Sequence, residues 1–288
     1  MILTMKIVCS INKMKKLSII TINYNNADGL RRTIESVVCQ RSHDYEFIVI
    51  DGGSTDGSVD VIEEYASKID YWVSEPDGGI YPAMNKGVKA AHGEYGIFMN
   101  SGDEFYSKDV IENVVKQGLR EDIVCGDICF GESNVSPNPD KVTMRTFYKS
   151  TLYHQASFIK TQLLRDHPYD EAMRSAADWK FFMHELVYRN ASYRHISIVI
   201  ARFEGGGISM TNSEISRKEV RTELEKCLPE RILADYEDYV FGCTPYRQLF
   251  TTVEQIPPVR QIVYRVNVLL LKVLNLRLRS EWIKKLKF

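Results

Sequence analysis

The chain reads as an α/β protein: a sheet wound with helices, followed by a helical tail. Three observations predict this class. Short apolar runs of strand length (LSIITI, FIVI, YGIFM) alternate with segments whose apolar residues recur at helical spacing. Those runs empty into polar loops (NYNN, DGGSTDGS, NSGD), and an open α/β sheet gathers its ligands beyond the carboxyl ends of its strands. Hydrophobic residues make up 44% and charged residues 26% of the 288, which allows one full core and an appendage.

The elements follow in order. Residues 17–22 form a β-branched run, continuous enough to be buried on both faces of a sheet. Asn23-Tyr24-Asn25-Asn26 then supplies turn formers that can present side chains to a ligand. Asp28 is placed to cap a helix running to Gln40, with Leu30, Ile34, Val37 and Val38 on its inner stripe. A second strand, 46–50, stops at Asp51. In the DGGSTDGS loop, Ser54, Thr55 and Asp56 can cap the next helix, 58–67, and the glycines permit a tight turn. Turn and cap leave Asp51 without a reason. A carboxylate there can accept hydrogen bonds from a nucleobase or ribose. A third strand, 71–74, opens onto residues 74–105, the stretch on which the function depends. It comprises an acidic glycine loop, a helix carrying Asn85 and Lys86, a strand at 95–99, and Asp103 just past that strand. A carboxylate at that place, with a lysine one helix earlier, suits Mg²⁺ or Mn²⁺ clamped on a diphosphate.

The second half is less regular. A helix is predicted at 107–118 and a strand at 122–130 with Asp127 in its middle. Residues 131–141 read as a polar loop long enough to be mobile. Residues 153–157 introduce another short strand; His154 either meets a diphosphate or acceptor, or is a hydrogen-bonded structural histidine. Asp178 opens an apolar helix, 180–188, where N-capping is its simplest role. A strand at 197–203 leads to Glu204-Gly205-Gly206-Gly207-Ile208-Ser209, whose backbone amides can approach an anion near Gly206 and Ser209, unless the segment is a plain linker.

Polar helices fill 212–241, and Pro257-Pro258 starts the last segment. There Ile262, Val266, Leu269 and Val273 share an apolar face opposite Gln261, Arg265 and Lys272, and basic residues far outnumber the single acid, Glu281. A basic amphipathic helix over 259–288 suits an anionic membrane surface; the same stripe would equally serve packing on the domain or homodimerisation.

Composition narrows the function classes. A net charge of -1 gives no attraction to nucleic acid, and there is neither a GxGxxG nor a P-loop lysine signature. Six scattered cysteines lack the paired spacing of a zinc frame and read as buried, reduced thiols. No signal peptide is evident and no apolar run reaches spanning length, so the expected location is the cytoplasm, with the tail on the inner face of the plasma membrane if it meets lipid.

Four consecutive segments, LSIITINYNN, FIVIDGGSTDGS, SEPDGGIYPAMNKG and FMNSGDEF, resemble glycosyltransferase family 2, inverting enzymes with a Rossmann-like mixed sheet called the GT-A fold. The likeness covers 17–210. It implies a catalytic domain over that span (17–105 for the nucleotide, 106–210 for the acceptor); the sequence pattern outside it adds an extension (1–16), a helical extension (211–256) and the basic helix (257–288). It implies that Thr21, Asn23, Tyr24 and Asp51 line the nucleotide pocket, with Asp77, Asn85 and Lys86 near base, ribose or diphosphate and Asn100 near ribose. Asp103 would hold the metal, Asp178 would be the catalytic base, and Gly206 and Ser209 would lie near diphosphate or acceptor. The implied reaction moves a sugar from a nucleoside diphosphate sugar, most simply a UDP-sugar, to a hydroxyl of a saccharide or lipid-linked acceptor in surface-polysaccharide assembly. Two departures stand out. The family's Asp-x-Asp is reduced to Asn100-Ser101-Gly102-Asp103, one carboxylate, and Pro82 replaces a polar residue. The thinned metal motif keeps a rival open, a nucleotide-sugar-binding protein without catalysis.

Overall fold

The computed structural model describes residues 16–203, 213–241, 253 and 257–273. Within them the chain forms a nine-stranded sheet of order β3-β2-β1-β4-β8-β6-β9-β5, with β7 paired to β6. The first half is the parallel part. β1 (Leu17–Asn23) lies between β2 (Tyr45–Asp51) and β4 (Tyr95–Phe98), and β3 (Tyr71–Ser74) flanks β2. All seven residues of β1 are buried, as a central parallel strand covered by helices on both faces requires. Connecting them are α1 (Ala27–Val38), α2 (Ser58–Glu64) and α3 (Ile80–Ala90). α3 sits close on the sheet because Gly87 lacks a side chain: a Cβ there would come within 2.4 Å of Ile20.

The second half mixes directions. β5 (Asp103–Phe105) is followed by α4 (Val110–Lys116), β6 (Ile123–Phe130), β7 (Asn134–Ser136), α5 (Met144–Lys149), β8 (Ser157–Lys160), α6 (Thr161–Asp166), α7 (Ala177–Met183) and β9 (Tyr193–Phe203). β8 runs antiparallel to both β4 and β6, while β6 and β9 pair in parallel across a register shift near Asp127. α7 continues as a π-helical turn, His184–Tyr188.

Several local expectations are corrected. Asn26, not Asp28, caps α1: its side chain accepts from the Gly29 N–H, and Asp28 sits in the first turn. Residues 131–141 are not a free loop, since β7 pairs with β6 and buried Asn138 donates to the Gly126 carbonyl and accepts from the Tyr153 N–H. Asp178 does not cap α7. Glu219, from α8 (Ser213–Cys227), accepts instead from the N–H groups of Arg174, Ser175 and Ala176 in the preceding turn. Cys39 is exposed, whereas Cys125 and Cys129 are buried free thiols.

The chain divides into two compact units, Met1–Leu228 and Pro229–Phe288, so α8 belongs with the sheet. The second unit contains α9 (Glu230–Phe241) and α10 (Pro257–Val273). On α10, Ile262, Val266 and Leu269, spaced to share one face, are exposed. Residues 274–288 lie outside the described part, and no helix among the described residues is long and apolar enough to cross a membrane.

Candidate active site

The register of the parallel strands puts Asn23, Asp51 and Ser74 side by side at the carboxyl edge of the sheet. Asp51 is fully buried there, and its two oxygens are surrounded by donors. Oδ1 accepts from Asn23 Nδ2 (2.7 Å) and the Ser54 hydroxyl (2.6 Å). Oδ2 accepts from the N–H groups of Gly53 (3.2 Å) and Ser54 (2.9 Å) and from the Ser74 hydroxyl (2.6 Å). Burial pushes the Asp51 carboxyl up, but the hydrogen bonds, led by Ser54 and Ser74, outweigh it and hold the group below the usual carboxylate range. The NYNN and DGGSTDGS loops are thereby tied together. Asn25 adopts a left-handed φ of 48°, donates its N–H to Ser54 Oγ and accepts from the Thr55 N–H, while Asp56 accepts from the Ala27 N–H. Tyr24 projects from this knot at 68% exposure, available as a platform.

Asp103 is the opposite kind of carboxylate. It is 4% exposed, and Oδ2 accepts a long hydrogen bond from the Asn100 N–H (3.2 Å). Burial pushes it up to about 6, although His154 nearby and hydrogen bonds from Asn100 and Gln155 act against the rise. Its backbone is fixed by Thr33, whose hydroxyl donates to the Asp103 carbonyl (2.7 Å) and accepts from the Gly102 N–H (2.9 Å). Gly102 takes a φ of +102°, so the turn into Asp103 needs glycine at the position where the motif lost a ligand.

Asp178 lies 75 positions on, yet the fold joins it to Asp103 through a short polar chain. The Tyr81 hydroxyl donates to Asp178 Oδ1 (3.0 Å), and His154 Nδ1 stands 3.3 Å from Oδ2. His154 Nε2 stands 3.3 Å from Asn100 Nδ2. In the neutral imidazole, with the Asn100 amide donating, Nε2 accepts and Nδ1–H donates to Asp178, an assignment made from the hydrogen-bond pattern. In the imidazolium both nitrogens donate, and the Asn100 amide turns to accept through Oδ1. Burial works against both charges, yet the mutual attraction prevails: His154 is raised above the usual imidazole range and Asp178 lowered below its own. Asp178 keeps 15% of its side chain exposed.

The remaining expected residues fall into three groups. Asp77 accepts from the Gly79 N–H and lies over Gly52, where a Cβ would approach its carboxylate to 3.0 Å, so it borders the Asp51 loop. Thr21 and Asn85 are instead occupied inside the protein. Thr21 donates to the Met99 carbonyl, and the Asn85 amide donates to the Tyr169 carbonyl and Glu171 while accepting from the Tyr169 N–H. Lys86 pairs with Glu75 (2.8 Å) and lines a depression of about 430 Å³ with Glu46, Tyr71 and His92, residues near the starts of the strands rather than their carboxyl ends. Gly206 and Ser209 lie outside the described residues. Tyr81, Gln155, Thr33 and Ser74 were not anticipated from the sequence. Tyr81 had a signal in hindsight: it is the large polar aromatic in the first turn of α3, directly after the acidic glycine loop.

A mixed sheet flanked by helices, with its buried acids gathered at the carboxyl edge of the parallel strands, is the GT-A architecture. Staphylococcus aureus TarS residues 1–349 in complex with UDP-GlcNAc has the same fold, at TM-score 0.61 and 22% identity over 80% of this chain and 73% of that one. The model of the family "Glycosyl transferase family 2" matches residues 18–182. An uncharacterized glycosyltransferase of Mycobacterium tuberculosis (strain ATCC 25618 / H37Rv) is 37% identical over 176 residues, 58% of this chain and 67% of that one. A PGL/p-HBAD biosynthesis glycosyltransferase of Mycobacterium bovis (strain BCG / Pasteur 1173P2) is 30% identical over 202 residues, 67% and 79% of the two chains. The chain belongs to glycosyltransferase family 2.

Proposed function

We propose that the protein is an inverting, metal-dependent transferase that moves a hexosyl or N-acetylhexosaminyl unit from a UDP-sugar to an acceptor hydroxyl. The observation that carries this reading is the Asp178–His154–Asn100–Asp103 chain, which brings a partly exposed carboxylate and an under-coordinated one into one site. Asn23, Tyr24, Asp51 and Asp77 surround the place for the nucleotide, with Asn100 beside the ribose. Asp178 accepts the proton of the acceptor hydroxyl as that oxygen attacks the anomeric carbon opposite the departing diphosphate. Its carboxylate is ionised at neutral pH, held so by His154 and Tyr81, and its shortfall in basicity is met by proximity and by proton transfer late in the step.

A hard divalent cation fits the residues present. Asp103 is a buried carboxylate with few donors, and Asn100 Oδ1 is buried without a hydrogen-bond partner. Asp103 and Asn100 would hold Mn²⁺ or Mg²⁺, which would supply neutralisation of the charge growing on the leaving diphosphate. The acceptor is proposed to be a lipid-linked saccharide of surface-polysaccharide assembly. The biosynthetic role in the name of the M. bovis relative supports that reading, as does the exposed stripe on α10, a surface suited to the cytoplasmic face of a membrane or to a second copy of the chain.

Asp178→Asn should lower turnover by about 100- to 10,000-fold while leaving UDP affinity unchanged, measured by product formation and calorimetry. Unaltered turnover would remove Asp178 from the base role. A panel of nucleotide sugars screened by thermal shift with and without Mn²⁺ identifies the donor. Tight UDP binding with no turnover on any donor and acceptor would favour a non-catalytic binding protein.

A further inference from the structure

Outside this site, α8 carries Glu219, Glu223 and Cys227 at four-residue spacing, which places them along one face. Glu219 holds the turn ahead of Asp178, as described above. Glu223 and Cys227 face His184, the first residue of the π-helical turn that prolongs α7, and such turns recur at functional sites. Three atoms of different chemistry meet there. His184 Nε2 lies 3.0 Å from Glu223 Oε1, Cys227 Sγ lies 3.4 Å from the same oxygen, and Cys227 Sγ lies 3.6 Å from His184 Nε2.

Those separations are close to the edges of a metal tetrahedron. With the usual zinc bond lengths to sulfur, nitrogen and oxygen, tetrahedral angles require ligand-to-ligand distances of about 3.4–3.6 Å. The sulfur–nitrogen edge already matches, the sulfur–oxygen edge is nearly there, and the nitrogen–oxygen edge needs only a small opening. A plain hydrogen-bonded trio explains the short contacts but not why thiol, imidazole and carboxylate converge on one point.

The surroundings also look prepared. Lys180 Nζ sits 3.2 Å from Glu223 Oε2, leaving Oε1 for the cluster, and is itself held by Asp170 at 2.9 Å. The Tyr188 ring packs on His184 with centroids 5.4 Å apart, and its hydroxyl donates to the Cys227 carbonyl. Partners of this kind orient ligands in metal sites. Glu223 is buried, but His184 keeps 26% of its side chain exposed, which leaves a way in for an ion and for a water as fourth ligand.

We propose that His184, Glu223 and Cys227 bind a zinc-class divalent cation that staples α8 to the helix bearing Asp178. The donor set selects the ion. A thiolate and an imidazole favour a borderline-soft four-coordinate metal over Mg²⁺ or Mn²⁺, so this site and the Asp103 site take different ions. Because α8 holds the turn before Asp178 through Glu219, the ion would fix that acid's platform without touching substrate.

The full-length protein, reduced and stripped with EDTA, is titrated with Co²⁺. The expected spectrum has a thiolate-to-cobalt charge-transfer band and the intense visible bands of a four-coordinate ion, both bleached by one equivalent of Zn²⁺. Cys227→Ser should abolish the charge-transfer band, and His184→Ala should weaken binding at least about tenfold. Asp103→Asn should leave the spectrum unchanged, which separates this site from the proposed donor site. Absence of the charge-transfer band in the wild type overturns the proposal whatever the variants do, and so does a band that survives Cys227→Ser.

Discussion

Asp51, the last residue of β2, and Asp103, just past the turn that follows β4, are buried aspartates at the same edge of the sheet, and the protein treats the two in opposite ways. Asp51 accepts five hydrogen bonds and stays ionised more readily than an exposed aspartate. Asp103 is equally enclosed, receives few, and is pushed up to about 6. One carboxylate has its partners within the chain and builds the shape of a loop. The other is desolvated with only partial compensation from Asn100, Gln155 and His154, an arrangement that the proposed cation would offset. An acid at a strand end is therefore not one signal but two, told apart by counting donors.

The largest test of that contrast is removal of each acid. Asp51→Ala leaves three side-chain and two backbone donors facing a hole, and should cost about 3–4 kcal/mol. The thermal midpoint should fall by roughly 10 °C for a domain of this size. A fall below a few degrees would mean that the Asp51 network carries little of the fold. Asp103→Asn should do the reverse and stabilise the apo protein at neutral pH while abolishing any Mn²⁺-dependent increase in UDP affinity.

The pH dependence of the second substitution sharpens the comparison. The native pKa of Asp103 lies above its unfolded value, so the protonated form is favoured by folding. Its stabilising influence is complete below about pH 4 and lost as pH rises through about 6. The advantage of Asp103→Asn should thus be nil in acid and grow to about 2–3 kcal/mol above pH 6. Thermal melts of both proteins from pH 4 to 8 would show the gap opening. A constant gap across that range would put the raised pKa in doubt.

The parallel half was legible because its signals are local. β1, β2 and β4 announce themselves as apolar runs; Asp51 closes the second, and Asp103 follows the third across a short turn. What the sequence could not disclose were partners brought in from far along the chain. Asn85 and Lys86 sit in the helix after an acidic glycine loop, just where ligand contacts would be expected. Yet Tyr169 and Glu171, more than 80 positions away, occupy the Asn85 amide, and Glu75 pairs with Lys86. Asp178 shows the same limit from the other side. Its place at a helix start looked like a cap, but α8 supplies that function through Glu219, which leaves Asp178 free to face Tyr81 and His154. The antiparallel insertion of β8 between β4 and β6 was hidden too, because strand order is set by tertiary packing and not by the pattern within any one strand.

The smallest predicted effect is the finest probe of the Asp51 network. Ser74→Ala removes one of the three hydrogen bonds to Oδ2 and leaves the two backbone donors in place. At pH 7 the loss should be about 1 kcal/mol, a few degrees in the thermal midpoint, with UDP affinity nearly unchanged because the remaining donors keep the loop in shape. The acid limb carries the diagnostic. A depressed native pKa gives stability that is present above the unfolded value and lost as pH falls through the native one, and removing a donor brings the native value back toward the unfolded. The cost of Ser74→Ala should therefore shrink as pH falls through the acid range and vanish once the carboxyl is protonated in both states. Melts at several pH values between 3 and 7 measure it. An undiminished cost in acid would mean that Ser74 supports β3 by packing, and that the contrast between the two aspartates rests on the Ser54 and Asn23 contacts instead.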